Sequence, residues 1–376
     1  MKHILSIWLL MLLLAGWVTP AQAFTLGDVR IHGFGGWAYG KTDNANEYLG
    51  ANKDGSYDYL NLSLNISASP AERLTVHIQT GYATRSSDDD VGLDYGFAEW
   101  FFFDALTVRV GKVKVPFMLY TETYDVGTIR PLFHLPQGVY QQLAAEAYNG
   151  VGLTGSIYPK DEWEISYDLY GGKLSLLPNQ FVIMQGQQLS FQEYQPVFEH
   201  IVGGRLALHP PIEGLNVGFS TYGGETEGNS TGDEESLQDT YLFLGTSLEY
   251  LTEKLWFRSE YLVQRESEKI EIDVVYAELA WYLTERWQVA TRYERTDFAI
   301  PTLPPIFPDS LFDHQEFVVG LNYWFNPNFV CKLSYHRVQG NQFAYPGNIH
   351  DYAMSLQRGY FEEETHLILI GTQFSF

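Results

Sequence analysis

Cysteine and basic residues are both scarce in this chain. Cys331 is the only cysteine in 376 residues, which excludes an internal disulfide and a zinc site built from several thiolates. Lys and Arg together number 23 against 46 Asp and Glu, so the formal net charge is -23. Because a surface that binds phosphate groups must be basic, this charge argues against a nucleic-acid-binding protein.

Long hydrophobic runs are limited to the N-terminus. Lys2 is followed by an almost wholly apolar stretch from Ile4 to Val18 and by the small-x-small sequence of residues 21–23. This pattern predicts a secretory signal peptide at 1–23 and a mature chain of 24–376. An uncleaved anchor is the alternative, although the apolar stretch is shorter than the roughly 20 residues of a spanning helix. Since no later stretch is as apolar, the mature chain is either an exported soluble protein or a membrane β-barrel.

Aromatic residues are abundant at 16% of the chain, and 45% of the residues are hydrophobic, which excludes a disordered protein. Tyr59–Ser67 has leucine or isoleucine at every second position, with Asn or Ser between them. This period of two predicts a β-strand with one apolar and one polar face. Sixteen segments are predicted as strands: 30–40, 58–68, 73–84, 92–103, 106–115, 149–158, 161–171, 200–209, 215–224, 239–250, 254–265, 269–283, 286–297, 314–325, 329–338 and 363–376.

The predicted connections alternate between short turns and long loops. The eight longer ones are 41–57, 85–91, 116–148, 172–199, 225–238, 266–268, 298–313 and 339–362. An even number of strands with this alternation is typical of outer-membrane barrels, whose short turns are periplasmic and whose long loops are extracellular. The predicted fold class is therefore all-β, a transmembrane antiparallel β-barrel of about sixteen strands.

A soluble all-β protein is the alternative fold. Aromatic residues near strand ends, where membrane girdles lie, favour the membrane barrel. They are Tyr95, Phe97, Phe101, Trp281, Trp287, Trp324 and Phe325.

The last strand ends in Phe376, with aromatic or aliphatic residues at alternate positions before it. Together with the signal peptide and the strand number, this resembles the Gram-negative outer-membrane porins of the sixteen-stranded trimeric type. Residues 109–117, followed by 120–122, 130–131 and 135–137, are similar to the strand-to-loop region of phosphate- and dicarboxylate-selective porins. The chain departs from some members of that group in lacking an N-terminal coiled-coil extension, because the first predicted strand begins soon after the signal peptide.

The resemblance implies a homotrimer in the bacterial outer membrane, in contact with lipid and lipopolysaccharide. It also implies that the barrel-assembly machinery recognises Phe376, and that the third long loop folds into the barrel. The third long loop here is 116–148. Sixteen strands leave an aqueous lumen, so an inward loop would narrow a path for small hydrophilic solutes and ions.

Charged side chains on the predicted lumen faces and in this loop are the candidate pore-lining residues. An arginine that faces lipid near the midplane would cost about 2 to 4 kcal/mol, so strand arginines are expected to face the lumen. The candidates are Arg109, Arg205, Arg258, Arg292 and Lys332 on strands, with Glu122, Asp125 and Arg130 in the loop. Loop acids opposite wall arginines would create a transverse field that sets ion preference, whereas in the alternative interpretation each charge only lines the wall.

Acidic clusters occur in three long loops, at residues 88–90, 233–235 and 362–364. One interpretation is that they bind divalent cations that bridge the loops to lipopolysaccharide, because carboxylate oxygens suit calcium and magnesium. Solvated loop tips are the alternative, since the spacing alone defines no coordination shell.

Catalytic motifs give no support for an enzyme. Residues 150–155 match G-x-G-x-x-G, but a strand follows them rather than the helix that a dinucleotide site needs. The ten histidines show no ligand-spaced pair on a helix, so neither a metal nor a cofactor is predicted. The predicted function is an outer-membrane porin for passive diffusion. The alternatives are a channel selective for small anions of the phosphate or dicarboxylate type, and a plugged barrel acting as an adhesin or surface receptor through a loop such as 298–313.

Overall fold

The structure is a computed structural model of the chain. It describes residues 29–57, 60–85, 88–141, 146–160, 162–175, 179–185, 188–194, 197–226, 239–266, 270–300 and 308–376. The predicted signal peptide and the acidic cluster at 233–235 lie outside these residues, as does most of the proline-rich part of loop 298–313.

Sixteen strands form a closed barrel in the described part of the chain. In chain order they are β1 (Val29–Thr42), β2 (Asn61–Ala71), β3 (Leu74–Arg85), β4 (Asp88–Phe103), β5 (Leu106–Lys114), β6 (Ala147–Lys160), β7 (Trp163–Ser175), β8 (Val197–His209), β9 (Leu215–Thr226), β10 (Asp239–Leu251), β11 (Leu255–Glu266), β12 (Ile270–Tyr282), β13 (Trp287–Ala299), β14 (Asp313–Asn326), β15 (Phe329–Gln339) and β16 (Glu364–Ser375). Each matches one predicted strand, and no boundary differs from its prediction by more than four residues. The predicted fold class and strand number are confirmed.

Every strand is antiparallel to its neighbours along the chain, and β1 pairs with β16 to close the barrel. Phe34 lies opposite Ser375, and the pairing continues to Thr42 opposite Leu367. Phe376 extends this seam, because its backbone amide donates to the Gly33 carbonyl at 2.8 Å and its carbonyl accepts from the Gly33 amide at 3.0 Å. Closure leaves no unpaired strand edge, which a barrel in lipid requires.

Side chains alternate between an apolar outer face and an inner face that carries most of the charge. On β14, Phe317, Val319 and Leu321 are exposed on the outside, while Glu316 and Asn322 are buried on the inside. A period of two produces this division, because successive side chains of a strand point to opposite faces. The outer surface is therefore suited to hydrocarbon and the inner surface to charged and hydrogen-bonding groups.

A bulge on β4 corrects part of the predicted outer surface. The pairing with β3 shifts by one residue between Tyr95, opposite Gln79, and Leu93, opposite Thr80. Because a bulge reverses the side-chain phase, Leu93 faces outward whereas Tyr95 and Phe97 face inward, and these two rings are not part of an outer girdle.

The other predicted girdle positions divide in the same way. Trp281, Trp287 and Phe325 are exposed near strand ends, as expected, whereas Phe101 shares the inward phase of Phe97, because the pairing has no bulge between them. Trp324 is instead buried on the inner face, where its indole nitrogen donates to Gln288 at 3.3 Å.

The long loops contain elements that the sequence pattern did not predict. Residues 172–199 include a hairpin of Asn179–Gln185 and Gln188–Tyr194, and Asn46–Glu47 pairs with Tyr345–Pro346. Short helical turns lie at Thr121–Thr123, Gly127–Ile129, Gln137–Tyr140 and Asp309–Leu311.

Residues 339–362 contain one longer helix, α1, at Ile349–Arg358. The Asn348 side chain accepts from the His350 amide at 2.8 Å, and Gly359 ends the helix at a φ of 64°. Among the described residues, no helix has the length and apolar character to cross a membrane.

A charged substitution at the middle of the outer face tests whether this surface contacts lipid. Val319→Arg should lower the free energy of unfolding in phospholipid vesicles by about 2 to 4 kcal/mol, because Val319 faces outward halfway along β14. Phe325→Arg is the matched control near the short turn, where the cost is expected to be about 0 to 1 kcal/mol. Unfolding midpoints in urea measure both, and equal losses would contradict a lipid-facing middle.

Candidate functional site

The loop that follows β5 is held by an apolar cluster on the inner side of the wall. Phe117 packs edge-on against Tyr222 at a ring distance of 4.9 Å, and Tyr222 stacks on Phe243 at 4.3 Å. Met118 fills the space beside Gly245, where an added Cβ would lie 2.1 Å from its sulfur. The loop therefore lies against β9 and β10, and glycine at 245 is needed for this close approach.

Glu260 on β11 fixes the backbone where the loop turns. Its carboxylate accepts from the Leu119 amide at 2.6 Å, from the Tyr140 hydroxyl at 2.5 Å and from the Tyr276 hydroxyl at 2.7 Å. Met118, just before, has a φ of 61°, a conformation that costs a non-glycine residue about 1 to 2 kcal/mol. The cluster of bonds around Glu260 offsets that strain.

Three cations on the wall bind the carbonyl groups of the loop. The Lys332 ammonium on β15 donates to the carbonyls of Gly127 at 2.8 Å, Arg130 at 2.6 Å and Leu132 at 3.3 Å. Arg258 on β11 donates to the Ile129 carbonyl at 3.2 Å and to the Tyr120 hydroxyl at 2.7 Å. Arg292 on β13 donates to the His134 carbonyl at 2.8 Å.

Two wall glycines receive side chains of the same loop. A Cβ at Gly320 on β14 would lie 2.8 Å from Leu132, and one at Gly371 on β16 would lie 2.6 Å from the Phe133 ring. The loop thus touches the inner faces of strands from β9 to β16. These contacts extend over much of the circumference, and from them we infer that residues 115–141 fold inward against the wall.

The opposite side of the loop faces a cavity of about 480 Å³. Glu122, Thr123, Asp125 and Val126 line it from the loop. The wall contributes His32, Gly33 and Phe34 from β1, Asn65 from β2, Gln79 from β3 and Tyr95 from β4, with Asn328, Ser375 and Phe376 at one end. Most of these groups are polar or small, so the cavity is suited to water and hydrophilic solutes.

Ion pairs connect the loop acids to cations on β5 and β8. Glu122 lies 3.5 Å from Arg109 and 2.5 Å from Arg205. Arg109 also pairs with Glu99 at 2.8 Å, and Arg205 with Asp168 at 2.9 Å.

Asp125 belongs to a second, adjoining group. It lies 3.2 Å from Lys114 and accepts from Gln79 at 2.9 Å, and Gln79 also donates to Asp94 at 3.1 Å. Lys114 is the last residue of β5, and its side chain is buried although Val110, four residues earlier on the same strand, is exposed on the outside. Together the two groups hold five acids, Asp94, Glu99, Glu122, Asp125 and Asp168, and three cations, Arg109, Lys114 and Arg205.

Two loop side chains away from the cavity are neutral. Burial, and then the nearby Arg130 charge, lowers the pKa of His134 well below its usual value. Burial raises the pKa of Tyr124 to about 12. The acidic loop side chains that line the cavity are those of Glu122 and Asp125.

The eight predicted site residues occupy three different places. Glu122 and Asp125 line the cavity, and Arg109 and Arg205 pair with Glu122 behind it. Arg258, Arg292 and Lys332 face inward but are buried beneath the loop. Arg130 is buried within the loop itself and donates to the Tyr124 carbonyl at 2.9 Å. Contact of any of the eight with a permeating solute stays a prediction.

Sequence reasoning missed the uncharged lining residues. Asn65 and Gln79 lie on the polar faces of strands and could have been included from their period alone. Tyr95 could not, because the bulge that turns it inward has no signal in the local pattern.

The fold is that of the sixteen-stranded porins. The structure is similar to OmpF of Salmonella typhi in complex with daunomycin, with a TM-score of 0.57, 14% identity, and coverage of 92% of this chain and 97% of that chain. It is also similar to an anion-selective porin from Comamonas acidovorans (TM-score 0.56, 11% identity, 93% and 99% covered) and to OmpT, an outer membrane protein of Vibrio cholerae, in its trimer form (0.54, 11%, 93% and 99%). No family model and no curated protein matches the sequence. The more specific resemblance to phosphate- and dicarboxylate-selective porins stays a prediction.

The Lys332 contacts predict a specific effect of removing the ammonium group. Lys332→Met should lower the free energy of unfolding by about 2 kcal/mol or more, because buried hydrogen bonds to a charged donor are lost and loop carbonyls stay buried. Amide hydrogen exchange of residues 127–134 should become faster at the same time. Lys254→Met, on an exposed short turn, is the control and should change neither quantity. Unchanged exchange in the first variant would show that Lys332 does not hold the loop.

Proposed function

We propose that this protein is a diffusion channel of the bacterial outer membrane for small hydrophilic solutes and ions. The observation that carries the proposal is the cavity between the loop residues 122–126 and the wall formed by β1–β4, which most of its lining residues border with polar side chains. The closed barrel, its apolar outer face and its similarity to outer membrane porins support the location. By the usual arrangement of such barrels, the short turns face the periplasm and the long loops face outward.

The pathway runs past the free side of the loop rather than through the anchored side. On the anchored side, Phe117, Val139 and Phe243 are fully buried, and Lys332 has 1% of its surface exposed. On the free side, the side chains of Glu122 and Arg109 keep 30% and 22% of their surface. Ions therefore pass Glu122 and Asp125, whereas Arg258, Arg292 and Lys332 hold the loop in place.

The channel prefers cations. The ion-paired groups beside the cavity include five acids and three cations, and the two loop acids are the ones that line it. An excess of fixed negative charge at a constriction attracts cations and repels anions. The anion-selective alternative would instead need Arg109, Arg205 and Lys114 to dominate the field.

Neutralising the two loop acids should reverse or abolish this preference. In planar bilayers under a salt gradient, the reversal potential of the unmodified channel should have the sign of a cation-selective pore. Glu122→Gln combined with Asp125→Asn should move it toward anion selectivity, because two negative charges are removed from the constriction.

The control for this experiment is Glu362→Gln with Glu363→Gln, which removes two exposed acids from a long loop. It should leave the reversal potential nearly unchanged, since exposed charges are screened by salt within about 10 Å at 0.1 M. An anion-selective unmodified channel would contradict the cation preference and favour the small-anion alternative.

A cysteine placed on the loop tests the route itself. Thr123 is exposed to the cavity, and Cys331 is the only native cysteine, so Thr123→Cys in a Cys331→Ser background has a single reactive thiol. A bulky charged thiol reagent should reduce the single-channel conductance. Thr252→Cys in the same background places the thiol at a short turn and should conduct equally before and after the reagent.

The outcome of that experiment separates the remaining candidates. Conduction that is insensitive to modification at residue 123 would contradict a route past the free side of the loop. Silence from protein that is folded and inserted would contradict the channel and leave the plugged barrel, an adhesin or surface receptor, in its place.

We also propose that the channel is a homotrimer. The trimer form of OmpT, which is similar in fold, supports this assembly. Recognition of Phe376 by the barrel-assembly machinery and binding of the acidic loops to lipopolysaccharide are proposals of the same kind. The exposed Phe376 ring at the β1 seam is compatible with the first of them.

A further inference from the structure

A cluster of potential metal ligands lies away from the cavity, beneath the anchored side of the loop. Glu294 on β13 and Glu316 on β14 are directly opposite each other. His314 lies on the same face of β14 as Glu316, next to it and opposite Thr296. One ligand atom from each of these three residues lies within 4.8 Å of the other two, and all three side chains are buried. Directly opposed carboxylates repel each other, so this pair needs a compensating charge.

The buried ring of His314, which lacks hydrogen-bond partners, is a second and independent sign of a ligand. It has 0% of its surface exposed, and neither ring nitrogen has a hydrogen-bond partner among the described residues. Its ring is enclosed by Phe343, at 4.7 Å in an edge-on contact, and by Tyr48 at 6.0 Å. A buried imidazole without a partner is costly, whereas a metal ion satisfies one ring nitrogen directly.

Both ring nitrogens of the nearby His336, in contrast, have hydrogen-bond partners. Its Nδ1 lies 2.8 Å from Glu316 and its Nε2 lies 2.8 Å from the Ser334 hydroxyl. It is therefore placed to orient Glu316, which is the usual part of a group just outside the ligands of a metal.

The local charge also favours a bound cation. Glu294 and Glu316 both lie within 4.0 Å of the Arg292 guanidinium, so two carboxylates share this cation. Buried charges are normally paired or coordinate a metal, and a bound cation would compensate the second carboxylate.

We propose that Glu294, His314 and Glu316 form a binding site for a divalent cation that accepts mixed nitrogen and oxygen ligands, with Zn²⁺ as the probe. Imidazole and carboxylate are both ligands of Zn²⁺, at about 2.0 to 2.2 Å. Calcium fits poorly, because it takes about six to eight oxygen ligands.

The carboxylates have the capacity to bind a metal as well as their present partners. Glu294 accepts one backbone amide on each oxygen, from Gln137 at 3.0 Å and from Gly138 at 2.5 Å. Each carboxylate oxygen has two acceptor positions, so one remains on each oxygen of Glu294. Glu316 accepts from Arg292 on Oε2 at 3.0 Å, which likewise leaves a position on that oxygen.

The site is enclosed by the loop itself. Gly138 lies so close that an added Cβ would be 2.2 Å from the Thr296 hydroxyl and 3.2 Å from Glu294. Metal should therefore be supplied during refolding, before the loop closes over the site. Zinc retention does not depend on conduction, so this site is testable whether or not the channel proposal holds.

The test is to refold the full chain in detergent with equimolar Zn²⁺, pass it over a chelating resin and measure bound metal by mass spectrometry. One Zn²⁺ per chain is expected. His314→Phe keeps a ring against Phe343 but removes the nitrogen ligand, and should weaken binding by roughly 100-fold or more, since even outer partners of metal ligands contribute about 10- to 100-fold.

His366→Phe is the matched control, because it also removes one imidazole beside carboxylates: His366 lies 3.5 Å from Glu364 and 4.0 Å from Asp43, in a more exposed cluster. This variant should keep its metal. Loss of zinc in His366→Phe with retention in His314→Phe would assign the metal to the exposed cluster and overturn the proposal.

X-ray absorption at the zinc edge needs no substitution and so covers the case in which His314→Phe does not fold. It should show one imidazole together with oxygen ligands. An all-oxygen shell, or refolded protein that retains no zinc, would overturn the site.

Discussion

The loop of residues 115–141 depends on one constraint: its backbone groups must find hydrogen-bond partners where the loop is packed against the wall. Buried amides and carbonyls without partners are costly, and an irregular segment has no ladder to satisfy them. The wall supplies the partners as charges. Lys332 donates hydrogen bonds to three loop carbonyls, and Glu260 and Glu294 accept hydrogen bonds from loop amides. The main role of the charged side chains on the inner face of β11–β15 is therefore to form hydrogen bonds with the loop backbone.

The charged side chains of the barrel therefore fall into two groups that differ in their exposure to water. Under the loop, charges are dehydrated and engaged, so they are poor partners for a passing ion. Beside the cavity, Glu122, Arg109 and Arg205 keep part of their surface and remain hydrated. A transverse field across the pathway can arise only from the second group, because only there can an ion approach the fixed charges. The eight residues proposed from the sequence fall in both groups.

The sequence was sufficient for the barrel but not for the content of its lumen. Strand number, order and boundaries follow from a period of two and from turn residues, which are local properties. The inward direction of Arg258, Arg292 and Lys332 follows from the same period. That these residues bind loop carbonyls could not be predicted, since a carbonyl group is identical at every residue type.

Two further features that the sequence did not predict depend on how neighbouring strands pair. The bulge before Tyr95 depends on the pairing of β3 with β4 rather than on either strand alone. The grouping of Glu294 with His314 and Glu316 depends on cross-strand register, because twenty residues separate the strand positions along the chain. A search for ligands spaced along a helix cannot find such a group.

The contacts that hold the loop against the wall depend on closure of the barrel, because both involve β16. Lys332 binds Gln373 on β16 at 2.6 Å as well as the loop carbonyls, and Phe133 of the loop fits against Gly371 on the same strand. Because β16 also pairs with β1, these contacts are complete only in a closed barrel. The loop in turn covers Glu294 through the Gln137 and Gly138 amides. Closure of the barrel therefore completes the contacts that hold the loop, and the loop in turn encloses the Glu294, His314 and Glu316 cluster. A cation bound there would stabilise the closed barrel with its loop in place.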